Sequence, residues 1–163
     1  MHPGAAPALL GVHGESVRDA RVPLTDAYGA GALALEERMA IGAPRERTSL
    51  LLGWLAVRAR TAPAPDPLIR ATARALAVGP HRRIGALARE LHVSERHLRH
   101  RVTAQVGYGP KRLGRVLRLR RAMAVANAGA GLAAASHVGG YADQAHFTSD
   151  CVALAGVPPG QLV

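Results

Sequence analysis

From residue 31 onward apolar positions recur at three- and four-residue spacing, in stretches separated by Gly and Pro, which predicts helices joined by short turns. Residues 1 to about 30 differ: short apolar pieces such as Ala8-Leu9-Leu10 and Val22-Pro23-Leu24 lie among Gly and Pro, and irregular chain with short turns of helix is expected there. A helix is expected from Gly31 to Ile41, ended near Gly42. Another starts at Pro44, a favourable first-turn residue, and runs to about Arg60 with Leu51, Trp54, Leu55 and Arg58 at helical spacing. Pro63, Pro65 and Pro67 follow within five residues and cannot sit in a helix interior, so 61–67 reads as a stiff linker and a domain boundary.

After the linker, Asp66 is placed to cap a helix with Pro67 at its first position, and Leu68, Ile69, Ala73, Leu76 and Ala77 give that helix an apolar face ended by Gly79-Pro80. Leu87, Ala88 and Leu91 then form the inner face of a short helix, with Val93 in the turn. Ser94 caps the next helix, whose inward residues are Leu98, Val102 and Val106. Ala88 is small where the two helices cross. His92 occupies a turn position that tends to left-handed geometry, which His tolerates better than a branched residue. Gly107 and Gly109-Pro110 end this helix and start a long one reaching about Ala128, roughly 19 residues or 28 Å at 1.5 Å per residue. The stretch from Leu132 to Gln161 repeats the scheme: a helix to Val138, a turn at Gly139-Gly140-Tyr141, and a helix from about Asp143 to Ala155.

The expected fold class is therefore all-α: two helix-turn-helix subdomains joined by a long linker helix and preceded by a small helical N-terminal segment. Residues 1–65 are expected to be the helical and irregular remnant of an N-terminal region. Residues 66–163 hold a first helix-turn-helix at about 84–106, the linker helix at about 110–128 and a second helix-turn-helix at about 132–155. A connector of that length can hold two reading helices about one DNA turn, roughly 34 Å, apart.

Charge sharpens this picture. From His81 to Arg121 there are 12 Lys or Arg against two Glu, so this block alone carries the +10 of the whole 163-residue chain, and everything else is balanced. A helix pair surrounded by all the surplus positive charge points to a polyanion, and its helix-turn-helix form narrows that to double-stranded DNA. On the second helix of the pair, Arg96, Arg99, His100 and Thr103 fall at i, i+3, i+4 and i+7, opposite Leu98 and Val102, and are the candidates for contact with base edges. Arg can donate two hydrogen bonds to guanine O6 and N7. Arg89, Ser94, Arg101, Lys111 and Arg112 suit phosphates, which position without specifying. Arg118 and Arg120 are placed to brace the bundle through helix carbonyls or Glu residues, a role favoured for Arg118.

Composition excludes other classes. Apolar residues make up 48% of the chain, enough for an ordinary core, but aromatics only 3%, so Leu, Val and Ala must pack it. The single cysteine, Cys151, rules out an internal disulfide and fits a reducing compartment; its alignment with Phe147 and Leu154 marks it as a packed thiol. No long apolar run and no export signal is visible, so no membrane association and a cytoplasmic location are expected. His97 and His100 share a helix face, but no carboxylate or Cys joins them at ligand spacing, so no metal is expected. No Ser-His-Asp order, phosphate loop or paired-carboxylate motif points to an enzyme or a cofactor.

Ala88, Ser94 and Leu98, Gly107 and Pro110, Arg118-Leu119 and Ala122, and above all Gly140-Tyr141-Ala142-Asp143-Gln144-Ala145-His146-Phe147 with Gly156 and Pro159 resemble the DNA-binding region of AraC/XylS-type transcription regulators. The resemblance covers about residues 66–163. It implies a sequence-specific regulator reading the major groove mainly with the helix 95–106, and it adds Gln144 and Thr148 as base-contact candidates on the second reader. Family members usually begin with a larger effector-binding domain, often a β-barrel, for which this chain has no room, so it is expected to be an N-terminally shortened member. Departures from the pattern are His100 where Arg is common, Val102 and Cys151 where Phe is common, Ser136 for Ala and Ser149 for Arg. Residues 122–163 contain no Lys or Arg and two Asp, Asp143 and Asp150, so the second unit is expected to dock weakly or merely brace the first. The alternative is a shortened regulator acting as a protein-interaction or dominant-negative fragment, with RNA polymerase or a full-length relative as partner. The sequence leaves the oligomeric state open and is compatible with one chain on DNA.

Overall fold

The computed structural model describes residues 3–64, 66–79 and 82–163. Pro65 of the expected linker and Pro80 and His81 after the following helix lie outside the described residues. The described chain is all helical: α1 (Ala5–Leu10), α2 (Leu24–Tyr28), α3 (Ala30–Ile41), α4 (Pro44–Thr61), α5 (Pro67–Val78), α6 (Ile84–Glu90), α7 (Glu95–Val106), α8 (Pro110–Asn127), α9 (Gly131–Gly139) and α10 (Gln144–Ala155), with a 3-10 turn at Pro159–Gln161. The two helix-turn-helix pairs are α6–α7 and α9–α10, with α8 between them in sequence. Two compact units are distinguished, one formed by residues through Arg70 with His100–Tyr108, the other by Ala71–Arg99 with Gly109–Val163.

The second of these holds most of both helix-turn-helix pairs. Each predicted boundary has a visible cause. His92 adopts φ 55, the left-handed turn expected between α6 and α7. Ser94 Oγ accepts the His97 N–H at 3.1 Å, capping α7. Pro110 opens α8, and Asp143 caps α10 by accepting the His146 N–H at 2.7 Å. Around α8, α9 and α10 the core consists of Leu119, Ala122, Ala126, Ala135, Tyr141, Phe147 and Cys151, with Met123, Val125, Leu132 and Leu154 at its margin. A core this poor in large side chains closes only if backbones approach: a Cβ on Gly139 would lie 2.8 Å from the Ala122 Cβ and 2.9 Å from Tyr141 Cδ2. Gly140 supplies the left-handed turn, φ 78, that ends α9.

In the first unit, Tyr28 gathers the short elements. Its hydroxyl donates to the Leu9 carbonyl at 2.5 Å, its ring meets Trp54 edge-on with centroids 5.0 Å apart, and the Arg58 guanidinium lies 3.9 Å above it. The Gly14 N–H donates to the carbonyl of Ala104 on α7 at 2.9 Å. At that contact a Cβ on Gly14 would sit 2.6 Å from Gln105 O, and one on Gly107 2.5 Å from Gly14 O, so both positions require glycine. The expected apolar stripe of α4 is present without a core beneath it: no residue of α4 is buried, Leu51 is exposed, and Trp54, Leu55 and Arg58 are half-buried.

Candidate nucleic-acid interface

The N-terminal half of α7 is presented by its own cap. With Ser94 fixing the first turn, Leu98 points into the protein at 0% exposure and Arg96, Arg99 and His100 are exposed. Arg96 and His100 have no hydrogen-bond, ionic or ring partner among the described residues. Arg99 donates to Glu95 Oε1 from Nε at 2.9 Å and from Nη2 at 2.5 Å, one helical turn back. Such an exposed i,i+4 pair contributes only about 0.3–0.5 kcal/mol. A bidentate contact to the right base discriminates by about 1–3 kcal/mol, so Glu95 orients Arg99 without withholding it.

An open cleft of about 620 Å³ at the start of α7 is lined by Arg89, Ser94 and Arg99, together with Arg83 and Glu95. It brings two of the phosphate candidates beside one base-contact candidate. Arg83 had no signal in the sequence beyond membership of the basic block, because it belongs to the turn before α6 and to no helical face. The Ser94 oxygen accepts from the backbone, and its hydroxyl proton is still available to a ligand.

The C-terminal half of α7 is differently placed. Thr103 is half-buried, and Arg101 is engaged by a carboxylate: Asp66 Oδ2 takes its Nε at 3.2 Å and a close Nη2 contact, and also Gln105 Nε2 at 3.3 Å. Asp66 meanwhile accepts the Leu68 N–H at 2.7 Å, as its capping position predicts. Burial alone would raise the Asp66 carboxyl, but the Arg101 hydrogen bond, backbone N–H groups and the guanidinium charge outweigh it and hold it below its ordinary value. A phosphate contact by Arg101 therefore has to displace an anchored carboxylate. Lys111 is exposed with no partner among the described residues, and Arg112 is exposed on the same turn.

On the second pair, Gln144 is exposed in the first turn of α10 and Thr148 is half-buried one turn on. Asp150 departs from the expected surface charge. It is 5% exposed and accepts from Arg115 Nε at 2.8 Å and Nη2 at 2.6 Å, from Arg118 Nη2 at 3.0 Å and from the Tyr141 hydroxyl at 3.0 Å. Arg118, 8% exposed, also stacks 4.1 Å over the Tyr141 ring. Arg118 thus braces the bundle through Asp150 and Tyr141, not through helix carbonyls or Glu residues. Burial would raise the Asp150 carboxyl; the hydrogen bonds from Arg115, Arg118 and Tyr141 hold it lowered instead, while burial and the neighbouring Asp150 push Tyr141 up to about 12. Cys151 is buried in the core, and that burial, with the Asp150 charge, raises its thiol.

Among the described residues no three His, Cys, Asp or Glu side chains gather as a metal site, and no helix is long and apolar enough to cross a membrane. A family model described as a helix-turn-helix domain, of the AraC type, matches residues 87–163, a little under half the chain. Neither a search of curated proteins nor one of solved structures found a match. That family is a DNA-binding regulatory one, not an enzymatic one. The match begins at the buried Leu87 of α6 and runs through both helix-turn-helix pairs, the same elements that carry the Ser94-capped α7 and the Gly140-Tyr141 turn. Residues 87–163 thus match the AraC-type helix-turn-helix family of DNA-binding domains, which supports a DNA-binding role for this part of the chain.

Proposed function

We propose that the chain is a sequence-specific regulator that reads the major groove with the N-terminal half of α7. The observation that carries this is the exposed face of Arg96, Arg99 and His100 on a helix whose opposite side, Leu98 and Val102, is fully buried. Helix-turn-helix proteins place the first residues of the second helix against base edges, which is the half left open here. Arg96 and Arg99 contact bases, with His100 and Thr103 beside them. Arg89, Ser94, Lys111 and Arg112 hold the phosphates that set the register. Gln144 and Thr148 occupy the equivalent turn of α10. The 18 residues of α8, about 27 Å at 1.5 Å per residue, support two readers roughly one DNA turn apart.

Selection from a pool of random duplexes tests the reading. The wild-type chain is expected to enrich one common motif, and Arg96→Ala with Arg99→Ala to keep the helical content while losing the motif. An unchanged motif in the double variant contradicts the assignment.

One observation favours the second reading, a fragment that acts through protein contact and binds DNA weakly. Val57 of α4 and Ile41 at the end of α3, 66% and 89% exposed, line an open groove of about 990 Å³, and Leu52 of α4 is 60% exposed. A duplex affinity that is weak and nearly insensitive to salt would support that reading over the first.

A further inference from the structure

The surface between α8 and α10 holds a second cationic cavity, of about 580 Å³, with no residue of α7 in its lining. Its wall includes Arg82, Lys111, Arg115, Arg118, His146 and Ser149, with Asp150 at its base. One carboxylate faces four cations there. Even with Arg82 paired outward to Glu90 at 2.7 Å, two positive charges remain in excess. Lys111 has no partner among the described residues. Arg115 gives Nε and Nη2 to Asp150, leaving its other amino group uncommitted. Arg118, more than nine-tenths buried in this wall, has an Nε that is buried without any hydrogen-bond acceptor.

A buried donor without an acceptor, beside a surplus of cations and the hydroxyl of Ser149, describes a place short of acceptor oxygens. Among the described residues the cavity is lined by one carboxylate, Asp150, already taken by Arg115 and Arg118, and by one imidazole, His146, so the surplus there is of cations that call for an anion. We infer that this cavity binds a phosphate group through Lys111, Arg115, Arg118 and Ser149. The helix-turn-helix formed by α9 and α10 has no Lys or Arg of its own, and α8 supplies the cations it lacks. Under the DNA-binding reading, on which only the source of the phosphate rests, the occupant is a backbone phosphate that anchors the second helix-turn-helix. A free phosphorylated molecule offers the same chemistry.

The test uses the full chain and the substitution Ser149→Glu, an exposed helical position where a carboxylate at the cavity mouth competes for the same cations. Inorganic phosphate is titrated at low salt against wild type and S149E, and duplex affinity is measured for both across a salt series. Phosphate saturation of wild type, lost in S149E, shows a site for free phosphate. If phosphate does not saturate but S149E binds duplex about tenfold more weakly, with base preference unchanged and a salt slope smaller by about one, the site takes a backbone phosphate. Equal behaviour of wild type and S149E in both titrations overturns the inference. Should S149E lose helical content, Ser149→Asp carries the same two titrations, because it places a carboxylate at the same exposed position on a shorter side chain. A wild-type chain without salt-sensitive duplex affinity contradicts the DNA reading separately, and the phosphate titration then decides the cavity by itself.

Discussion

Asp150 shows at the scale of one residue how partners change meaning. Counted along the sequence it is half of the acidic charge on the second unit, repelling a polyanion. In the fold it accepts four hydrogen bonds, from Arg115, Arg118 and Tyr141, and repels nothing. Those cations lie 35 and 32 residues earlier, beyond the reach of any spacing rule, so the pairing was not legible beforehand. Asp66 with Arg101, also 35 residues apart, was hidden for the same reason. The side chains set by local rules were legible: Ser94 caps α7 by accepting a backbone N–H three residues on, and His92 adopts the left-handed turn; Asp143, read only as the start of α10, caps it in the same way. Asp150→Asn leaves Arg118 buried without its counter-charge. It is expected to destabilise the fold by about 3–5 kcal/mol, toward the lower end because Arg115 is partly exposed and can rehydrate. Because the folded carboxyl is held below its ordinary value of 3.8, its contribution is fully present above about pH 4 and is lost as pH falls through the lower folded value. Thermal melts from pH 7 down to pH 2 check this: wild type is expected to lose its advantage over Asp150→Asn only in the acid range, and a constant difference contradicts it.

Among the elements, α7 is divided in use. Its first turns carry a cap, a buried Leu98 and free basic side chains, while its last turn is held by Asp66 and by the Gly14 backbone. Periodicity found the helix and both of its faces, because a 3.6-residue repeat records which side is buried. It could not find the Gly14–Gly107 approach, which joins two backbones distant in sequence and leaves no apolar signature. It found α4 as well, from Pro44 to within a residue of its end at Thr61, but periodicity does not say how deeply a stripe is covered, and no residue of α4 is buried. The α8–α9 junction gives a sharp test. Gly139→Ala would place a Cβ 2.8 Å from another Cβ, with the Tyr141 ring on its other side. The expected cost is about 1–3 kcal/mol by chemical denaturation, with the midpoint lowered and its slope kept. A neutral Gly139→Ala would mean that α8 and α9 do not approach this closely.

For the whole molecule, the decisive quantity is the distribution of charge. Its +10 excess lies in the segment from His81 to Arg121, which contains α6, α7 and the first two-thirds of α8. Three phosphate contacts, at Arg89, at Arg112 and at the α8–α10 cavity that includes Lys111, predict a slope of log affinity against log salt of about −3. Filter binding between 50 and 200 mM salt measures it, and a slope near zero would favour the protein-interaction reading. The most direct measurement of groove reading varies the DNA instead. Wild type and Arg96→Ala are titrated against the selected duplex and against every single base-pair change within it. Wild type is expected to lose about 1–3 kcal/mol at a guanine read by Arg96, and Arg96→Ala to show no penalty at that position while keeping the penalties elsewhere. If both proteins are penalised alike at every position, Arg96 reads no base, and the assignment of α7 as the reading helix is contradicted.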